Sequence, residues 1–404
     1  MKVLYITTSL ETGGAQVMLY KMLAKIDRHK IEPVVISLID RGSVGDQIEA
    51  MGIPVHCLHM QKIPTLRMIW ALRKLVKKIQ PDLIQGWMYH GNLAAQWVSR
   101  CTRSPRPVVW SIHYSIDALD KDKKTTVAVI KLGAKLSRFA DQVLFVSQVS
   151  QSQHHTIGYA KTNSQVIPNG FDPTQFLPSD GDRERVRKEL GLSSDSILIG
   201  IAGRYHPMKD HLNFLRAATH LLSQLLNPQL PNSQAPNSQA PSVYFIMMGA
   251  GLTLDNPEFA PFCLVLGDRL RCLGERRDMS KLLASLDIYT SSSAYGEAFP
   301  MVIGEAMSCG VPCVVTDVGD SGLMVDTTGS TVPARQPEAL AMAWLKLLNL
   351  SAEDRRALGH QARNRVIQEF SLEVIVPRYE ALYESLSLSQ KQSQTETLNT
   401  LGVF

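Results

Sequence analysis

The 404-residue chain has little cysteine, and its six cysteines fall neither at metal-ligand spacing nor in a disulfide-dense pattern. Cys57, Cys101, Cys263, Cys272, Cys309 and Cys313 therefore read as reduced packing residues of a cytoplasmic protein, with no metal expected. A long apolar run is also missing: no segment reaches the roughly 18 residues that a membrane-crossing helix needs. The opening MKVLYITTSLETGG is broken by Glu11, well short of a signal or anchor segment. The first strand is not followed by G-x-G-x-x-G, which argues against a dinucleotide-dependent dehydrogenase. No recognised binding motif or aromatic-rich basic patch accompanies the positive charge, so nucleic acid is not an expected partner.

What is present is ordinary globular material, 45% hydrophobic and 20% charged. Its length exceeds a single core, and two domains of roughly 180 residues each are expected. The net charge of +5 hides an asymmetry. Residues 1–175 carry 22 Lys+Arg against 12 Asp+Glu, or +10, which leaves 20 against 25, or −5, for the remainder. Part of the excess lies on a predicted helix over 66–79. There Met68, Leu72, Leu75, Val76 and Ile79 make one face, and Arg67, Arg73, Lys74, Lys77 and Lys78 make another. More follows in Lys121, Lys123, Lys124, Lys131, Lys135 and Arg138. Such a surface is either a solvated face or a contact for anionic lipid headgroups at the inner face of the plasma membrane.

Short, nearly continuous apolar runs at 3–7, 34–39, 83–87, 108–112 and 143–147 alternate with helical stretches. This pattern predicts an α/β domain with a parallel sheet covered on both faces, a Rossmann-like doubly wound unit over 1–175. Its first βα turn holds Gly13 and Gly14, where backbone can approach a phosphate or sugar at a helix N-terminus. His113 follows the run 108–112, at a strand's carboxyl end, where open α/β sheets bind ligands. Residues 166–176 mark the crossing to a second Rossmann-like domain over 176–375. That domain opens with a strand at 197–202 and the loop GRYHPMKDH, which carries Arg204 and Lys209. An arginine fork and a lysine point charge suit a diphosphate. A duplicated PNSQA makes 228–242 a flexible insertion. The strand 243–248 ends at Gly249, and a last helix over 376–388 precedes a polar, disordered tail over 389–404.

The densest stretch is 288–316, IYTSSSAYGEAFPMVIGEAMSCGVPCVVT, which reads as strand, loop, short helix, strand. Pro300 suits a first helical position, and Gly310 suits a left-handed C-terminal one. Glu297 falls in the loop and Glu305 on the helix, with the small residues Ala294, Gly296, Ala298 and Gly304 leaving room beside them.

Glu297 and Glu305, seven residues apart within GEAFPMVIGEAMSCGVPCV, resemble the paired glutamates of the family 4 retaining glycosyltransferases, which have the GT-B fold. TGGAQ and the G-R-x-x-P-x-K-D pattern match as well, and the resemblance spans nearly the whole chain. It implies two Rossmann-like domains facing across a cleft, with the last helix returning to the first. It further implies transfer of a sugar from a nucleoside-diphosphate donor to a hydroxyl of a saccharide or lipid-linked acceptor, in polysaccharide or glycolipid synthesis, without a metal. The catalytic residues it implies are Glu297, His113, Arg204 and Lys209. The donor-binding ones are Gly14, Arg204, Lys209, Gly249, Glu297, Phe299, Met301, Val302 and Glu305. One departure is Pro300 followed by Met301, where many members have small residues; proline removes a backbone donor. Two rivals remain open, a sugar-nucleotide epimerase on the same fold and a non-catalytic scaffold that binds nucleotide or lipid.

Overall fold

The structure, a computed structural model, describes residues 1–60, 65–100, 106–117, 119–121, 123–226 and 242–400. The expected insertion at 228–242 lies outside the described residues except for Ser242, as does Cys101. The chain forms two compact units, 1–170 together with the last helix, and 171–371. The divisions thus fall at 170/171 and 371/372, a few residues before the positions expected at 175 and 375. Local bonding explains the shift. The Phe171 amide donates to the Phe370 carbonyl at 2.9 Å, and Phe171 bridges Ser371, so both segments belong to the second unit.

In the first unit β1 (Lys2–Thr7), β2 (Glu32–Ser37), β3 (Val55–Cys57), β4 (Leu83–Trp87), β5 (Val108–Ile112), β6 (Gln142–Phe145) and β7 (Ser164–Val166) form one parallel sheet. Their order is β3-β2-β1-β4-β5-β6-β7. Strand side chains alternate between two cores. Val3, Tyr5 and Val35 pack under α1 (Gly14–Lys25) and α2 (Gly42–Ala50). Leu4, Ile6 and Ile84 pack under α3 (Leu66–Ile79), α4 (Met88–Ser99) and α5 (Lys124–Leu136), with α6 (Gln148–Thr156) beyond them in sequence. Burial on both faces is why these strands read as apolar runs.

The second unit begins with α7 (Asp180–Glu189) and builds a sheet of β8 (Ile197–Ala202), β9 (Val243–Met248), β10 (Leu270–Cys272), β11 (Ile288–Ser291), β12 (Cys313–Thr316) and β13 (Ser330–Val332). Its order is β10-β9-β8-β11-β12-β13, again all parallel. Its helices are α8 (His211–Leu225), α9 (Ala260–Leu266), α10 (Met279–Ala284), α11 (Met301–Ser308), α12 (Ser321–Val325), α13 (Pro337–Leu348) and α14 (Ala352–Arg365). Asp287, at the amino end of β11, accepts from Arg183 and Arg187 at 2.7 Å each and from the Leu198 amide at 2.8 Å, tying α7 to the sheet. A buried arginine and carboxylate tolerate that setting because each is paired and hydrogen-bonded.

The last helix, α15 (Leu372–Thr400), packs in the first unit, where Ile375, Tyr379 and Tyr383 join the core beneath α1. Lys25 pairs with Glu373 at 3.0 Å, and the Tyr383 hydroxyl donates to Gln85. The disordered tail expected at 389–404 is corrected in part: the helix continues through Thr400. Its polar sequence lacks a helix breaker, and the propensities of Gln, Lys, Glu and Leu favour that continuation. Among the described residues no helix is long and apolar enough to cross a membrane.

Candidate active site

The site of the second unit is assembled from the loops that leave β8, β9 and β11 at their carboxyl ends. After β8 the backbone turns at Gly203, passes Arg204 and forms one 3-10 turn over Pro207–Lys209. Asp210 then caps α8, accepting from the Asn213 amide at 3.2 Å while itself held at a left-handed φ of 46°. Short polar residues tolerate that conformation best, which explains the K-D-H spelling. His206 Nδ1 accepts from the Met208 amide at 3.1 Å, and this fixes the turn that aims Lys209. Burial, then the neighbouring Arg204 and Lys209, depress the His206 pKa, so the ring stays neutral and keeps its acceptor.

Lys209 Nζ donates to Glu297 Oε1 at 2.5 Å, and Ser293 Oγ donates to the same oxygen at 2.8 Å. Glu297 is only 7% exposed, so this pairing lets a carboxylate sit in the loop. Arg204 is exposed and, among the described residues, is paired with no carboxylate. One turn along α11 lies Glu305, partly buried. The Tyr289 hydroxyl on β11 feels both glutamates; burial, Cys313 and then Glu297 and Glu305 raise its pKa.

The Glu297 loop is braced on two sides. Ser292 Oγ donates to the Lys209 and Asp210 carbonyls at 2.9 Å, and the Ala294 amide donates to the Met208 carbonyl at 2.8 Å. On the other side Thr316 Oγ1 donates to the Ser293 carbonyl at 2.6 Å, and the Asp320 amide to the Ala298 carbonyl at 2.9 Å. Gly319, at φ 60°, passes so close that a Cβ there would stand 2.3 Å from the Glu297 carbonyl oxygen. The sequence reading did not single out Ser292, Ser293, Thr316 or Gly319. Their one visible signal is the run of small polar residues after each strand.

One expectation changes in detail, and local packing explains the other residues of this region. Pro300 is the N-cap, extended at φ −68° and ψ 125°, and the helix starts at Met301, not at the proline. The amides of Met301 and Val302 thus open the helix as donors without intrahelical acceptors. Gly310 does end the segment, at φ 71°. Its amide donates to Met307 and that of Val311 to Ala306, the paired bonds of a Schellman motif. The Phe299 side chain is buried, its ring 6.2 Å from Phe171 and 5.4 Å from Phe370. Gly249 has a structural cause of its own: at φ 146°, an added Cβ would stand 2.2 Å from the Gly203 carbonyl oxygen. That close approach brings the loops after β8 and β9 together.

The remaining two candidates stand in the first unit, at its own sheet edge. Gly13 is the N-cap of α1, and Gly14 is the exposed first helical residue. His113 follows β5 with its ring 4.4 Å from that of Trp87 and Nδ1 3.3 Å from Asn169 Oδ1. Its Nε2 is buried and has no partner among the described residues. Burial drives its pKa far below the usual imidazole range, so the ring is neutral at pH 7. Trp87 in turn donates from Nε1 to the Ala15 carbonyl at 2.8 Å, which links His113 to the glycine turn.

Two parallel-sheet units of these strand orders, with an arginine, a lysine–glutamate pair and a second glutamate at the carboxyl edge of the second, define a glycosyltransferase of the GT-B class. The sequence matches Glycosyltransferase Family 4 over residues 12–175 and Glycosyl transferases group 1 over residues 182–365. The chain belongs to the family 4, group 1 glycosyltransferases, and it is a sugar-transferring enzyme of glycoconjugate synthesis. It is 22% identical, over 84% of each chain, to a UDP-Gal:alpha-D-GlcNAc-diphosphoundecaprenol alpha-1,3-galactosyltransferase of Escherichia coli. It is 32% identical to a D-inositol 3-phosphate glycosyltransferase of Stackebrandtia nassauensis, over 49% of this chain and 44% of that one. In fold it is similar to Anabaena HepE, solved with UDP and glucose, at a TM-score of 0.77 and 22% identity, covering 95% of this chain and all of that one.

Proposed function

We propose that the enzyme is a retaining glycosyltransferase that takes a sugar from a nucleoside-diphosphate donor held by the second unit and delivers it to a hydroxyl of a saccharide or lipid-linked acceptor. The observation that carries this reading is the joint placement of unpaired Arg204, the Lys209–Glu297 pair and the amides of Met301 and Val302 around the ends of β8 and β11. A diphosphate arrives with at least two negative charges, and departure of the sugar adds more on the β-phosphate. Arg204 supplies a fork for two oxygens, Lys209 a point charge, and the first turn of α11 two further donors. Lys209 exchanges part of its bond to Glu297 for the phosphate, which leaves the Glu297 carboxylate to hold sugar hydroxyls. Glu305, one turn further along, takes the ribose, and Gly249 lets backbone close on the donor.

In the first unit Gly14 offers a helix-end amide, and His113 acts as a neutral hydrogen-bonding ring, not as a proton donor. No divalent ion is needed in this scheme, because fixed cations balance the leaving charge. Work in the cytoplasm is part of the same reading. A uridine nucleotide is the first donor to try, since a similar fold binds UDP and glucose.

The test is product analysis with UDP-, GDP- and ADP-sugars. The expected result is free nucleoside diphosphate plus a glycoside whose anomeric configuration matches the donor's by NMR. An interconverted donor would instead indicate an epimerase. Nucleotide binding without turnover would indicate a scaffold, and either outcome would overturn the proposal.

A further inference from the structure

The helix layer α3–α4–α5 of the first unit contains no carboxylate. Neither the three helices nor their capping residues include an Asp or Glu. The same layer carries five cations on α3, Arg100 at the end of α4 and five more from Lys123 to Arg138, and all of them are exposed. Among the described residues none forms an ion pair. The opposite layer differs: there Lys25 pairs with Glu373 and Lys30 with Glu384. The three helices of one face are thus basic, with Asp117 and Asp120 in the segment that leads into α5, while on the other face Lys25 and Lys30 are paired.

That basic face also displays large apolar side chains. Leu66 and Trp70 on α3 are 78% and 67% exposed, and Trp97, Leu132 and Phe139 also stand in solvent. Cations lie over the rings, Arg73 at 5.8 Å from Trp70 and Arg138 at 4.8 Å from Phe139. Water alone rewards neither feature. Unpaired cations repel one another, and an exposed tryptophan costs apolar hydration. An anionic lipid surface accommodates both: headgroups neutralise the cations, and Trp, Phe and Leu enter the headgroup boundary, where one end of a ring is wet and the other apolar.

We propose that the α3–α4–α5 face is a docking surface for an anionic lipid bilayer, with Trp70 and Leu66 inserted and the surrounding lysines and arginines on headgroups. This deepens the lipid-linked acceptor of the preceding reading and rests on it only for the choice of lipid over another polyanion. The α3 helix enters from the carboxyl end of β3, so its apolar first turns lie toward the sheet edge that carries Gly14 and His113. Docking there keeps a lipid-linked acceptor close to that edge.

The experiment is flotation of the full chain with phosphatidylcholine vesicles, with and without phosphatidylglycerol, at low and high salt and without donor. Flotation is expected only with phosphatidylglycerol and should decline as salt screens the charges. Each surface cation contributes on the order of fivefold in partitioning, so the triple change Arg73→Glu, Lys77→Glu and Lys78→Glu should lower it by more than about tenfold. Trp70→Ser should lower it severalfold, while Arg28→Glu, in the turn after α1, should leave it unchanged. Circular dichroism and a UDP-induced thermal shift confirm that each variant is folded. Indifference to phosphatidylglycerol, or to the triple reversal, would overturn the proposal, as would binding of a single-stranded DNA oligonucleotide without vesicle binding. Vesicle data read the surface alone, and nucleotide shifts read the donor site. Failure of one is therefore distinguishable from failure of the other.

Discussion

Lys209 and Glu297 show how a buried carboxylate is accommodated in a loop. The carboxylate is shielded from water but satisfied by an ammonium and a hydroxyl, so both of its partners hold it in position. Because each group supports the other, removing both costs less than the sum of the single changes. Lys209→Ala, Glu297→Ala and the double variant should be non-additive in stability by about 1 kcal/mol, measured by denaturant unfolding. Gly319 supports the same loop through backbone alone. Gly319→Ala should destabilise the protein by more than about 1 kcal/mol, since it meets both a left-handed φ and the Glu297 carbonyl. It should also lower turnover by more than about tenfold through displacement of Glu297. The charged residues were legible in the sequence because arginine, lysine and glutamate in loops after apolar runs have few structural uses. Ser292, Thr316 and Gly319 were not, because their partners are carbonyls contributed by distant loops. The setting of Phe299 was not legible either, because its ring packs with Phe171 and Phe370, which are far from it in sequence.

At the level of elements, the long buried strands announce themselves and the short edge strands do not. β3, β7, β10 and β13 are three residues each and largely half-buried, too short to show a period. α6 illustrates a helix whose stability depends on a buried titratable ring. His154 receives the Tyr89 hydroxyl on Nε2 at 2.8 Å and donates from Nδ1 to the Ser150 carbonyl at 2.7 Å, and burial lowers its pKa to about 4. The folded pKa lies below the unfolded value near 6.5, so the folded state favours the neutral ring. The resulting stability is complete above pH 6.5 and is lost as pH falls toward 4. His211 on α8, also pushed to about 4 by burial and then by Lys209, adds the same dependence in the second unit. His154→Gln should therefore flatten the pH dependence of unfolding free energy between pH 6.5 and 4 by up to about 1.4 kcal/mol per pH unit. An unchanged slope in denaturant titrations at several pH values would show that this ring does not control it.

For the whole molecule, charge is divided between units in a way that composition conceals. Part of the excess of +10 in residues 1–175 lies on helices α3, α4 and α5, which carry no acid, whereas in the second unit Arg183, Arg187 and Lys209 are paired with carboxylates and, among the described residues, Arg204 is not. The doubly wound form of both units was legible from alternating apolar runs and helical stretches. The exact divisions at 170 and 371 were not, because single backbone bonds of Phe171 set them. If fixed cations carry the leaving charge, a chelator should leave the transfer rate unchanged within error, and added magnesium should not raise it.

Whether Arg204 neutralises the departing diphosphate is measured by the turnover of Arg204→Ala at saturating donor, compared with the unaltered enzyme. A fixed cation that stabilises the departing diphosphate predicts a fall in kcat of roughly 10²- to 10³-fold with the thermal unfolding temperature preserved. A folded variant that turns over at the normal rate would rule out that role for Arg204.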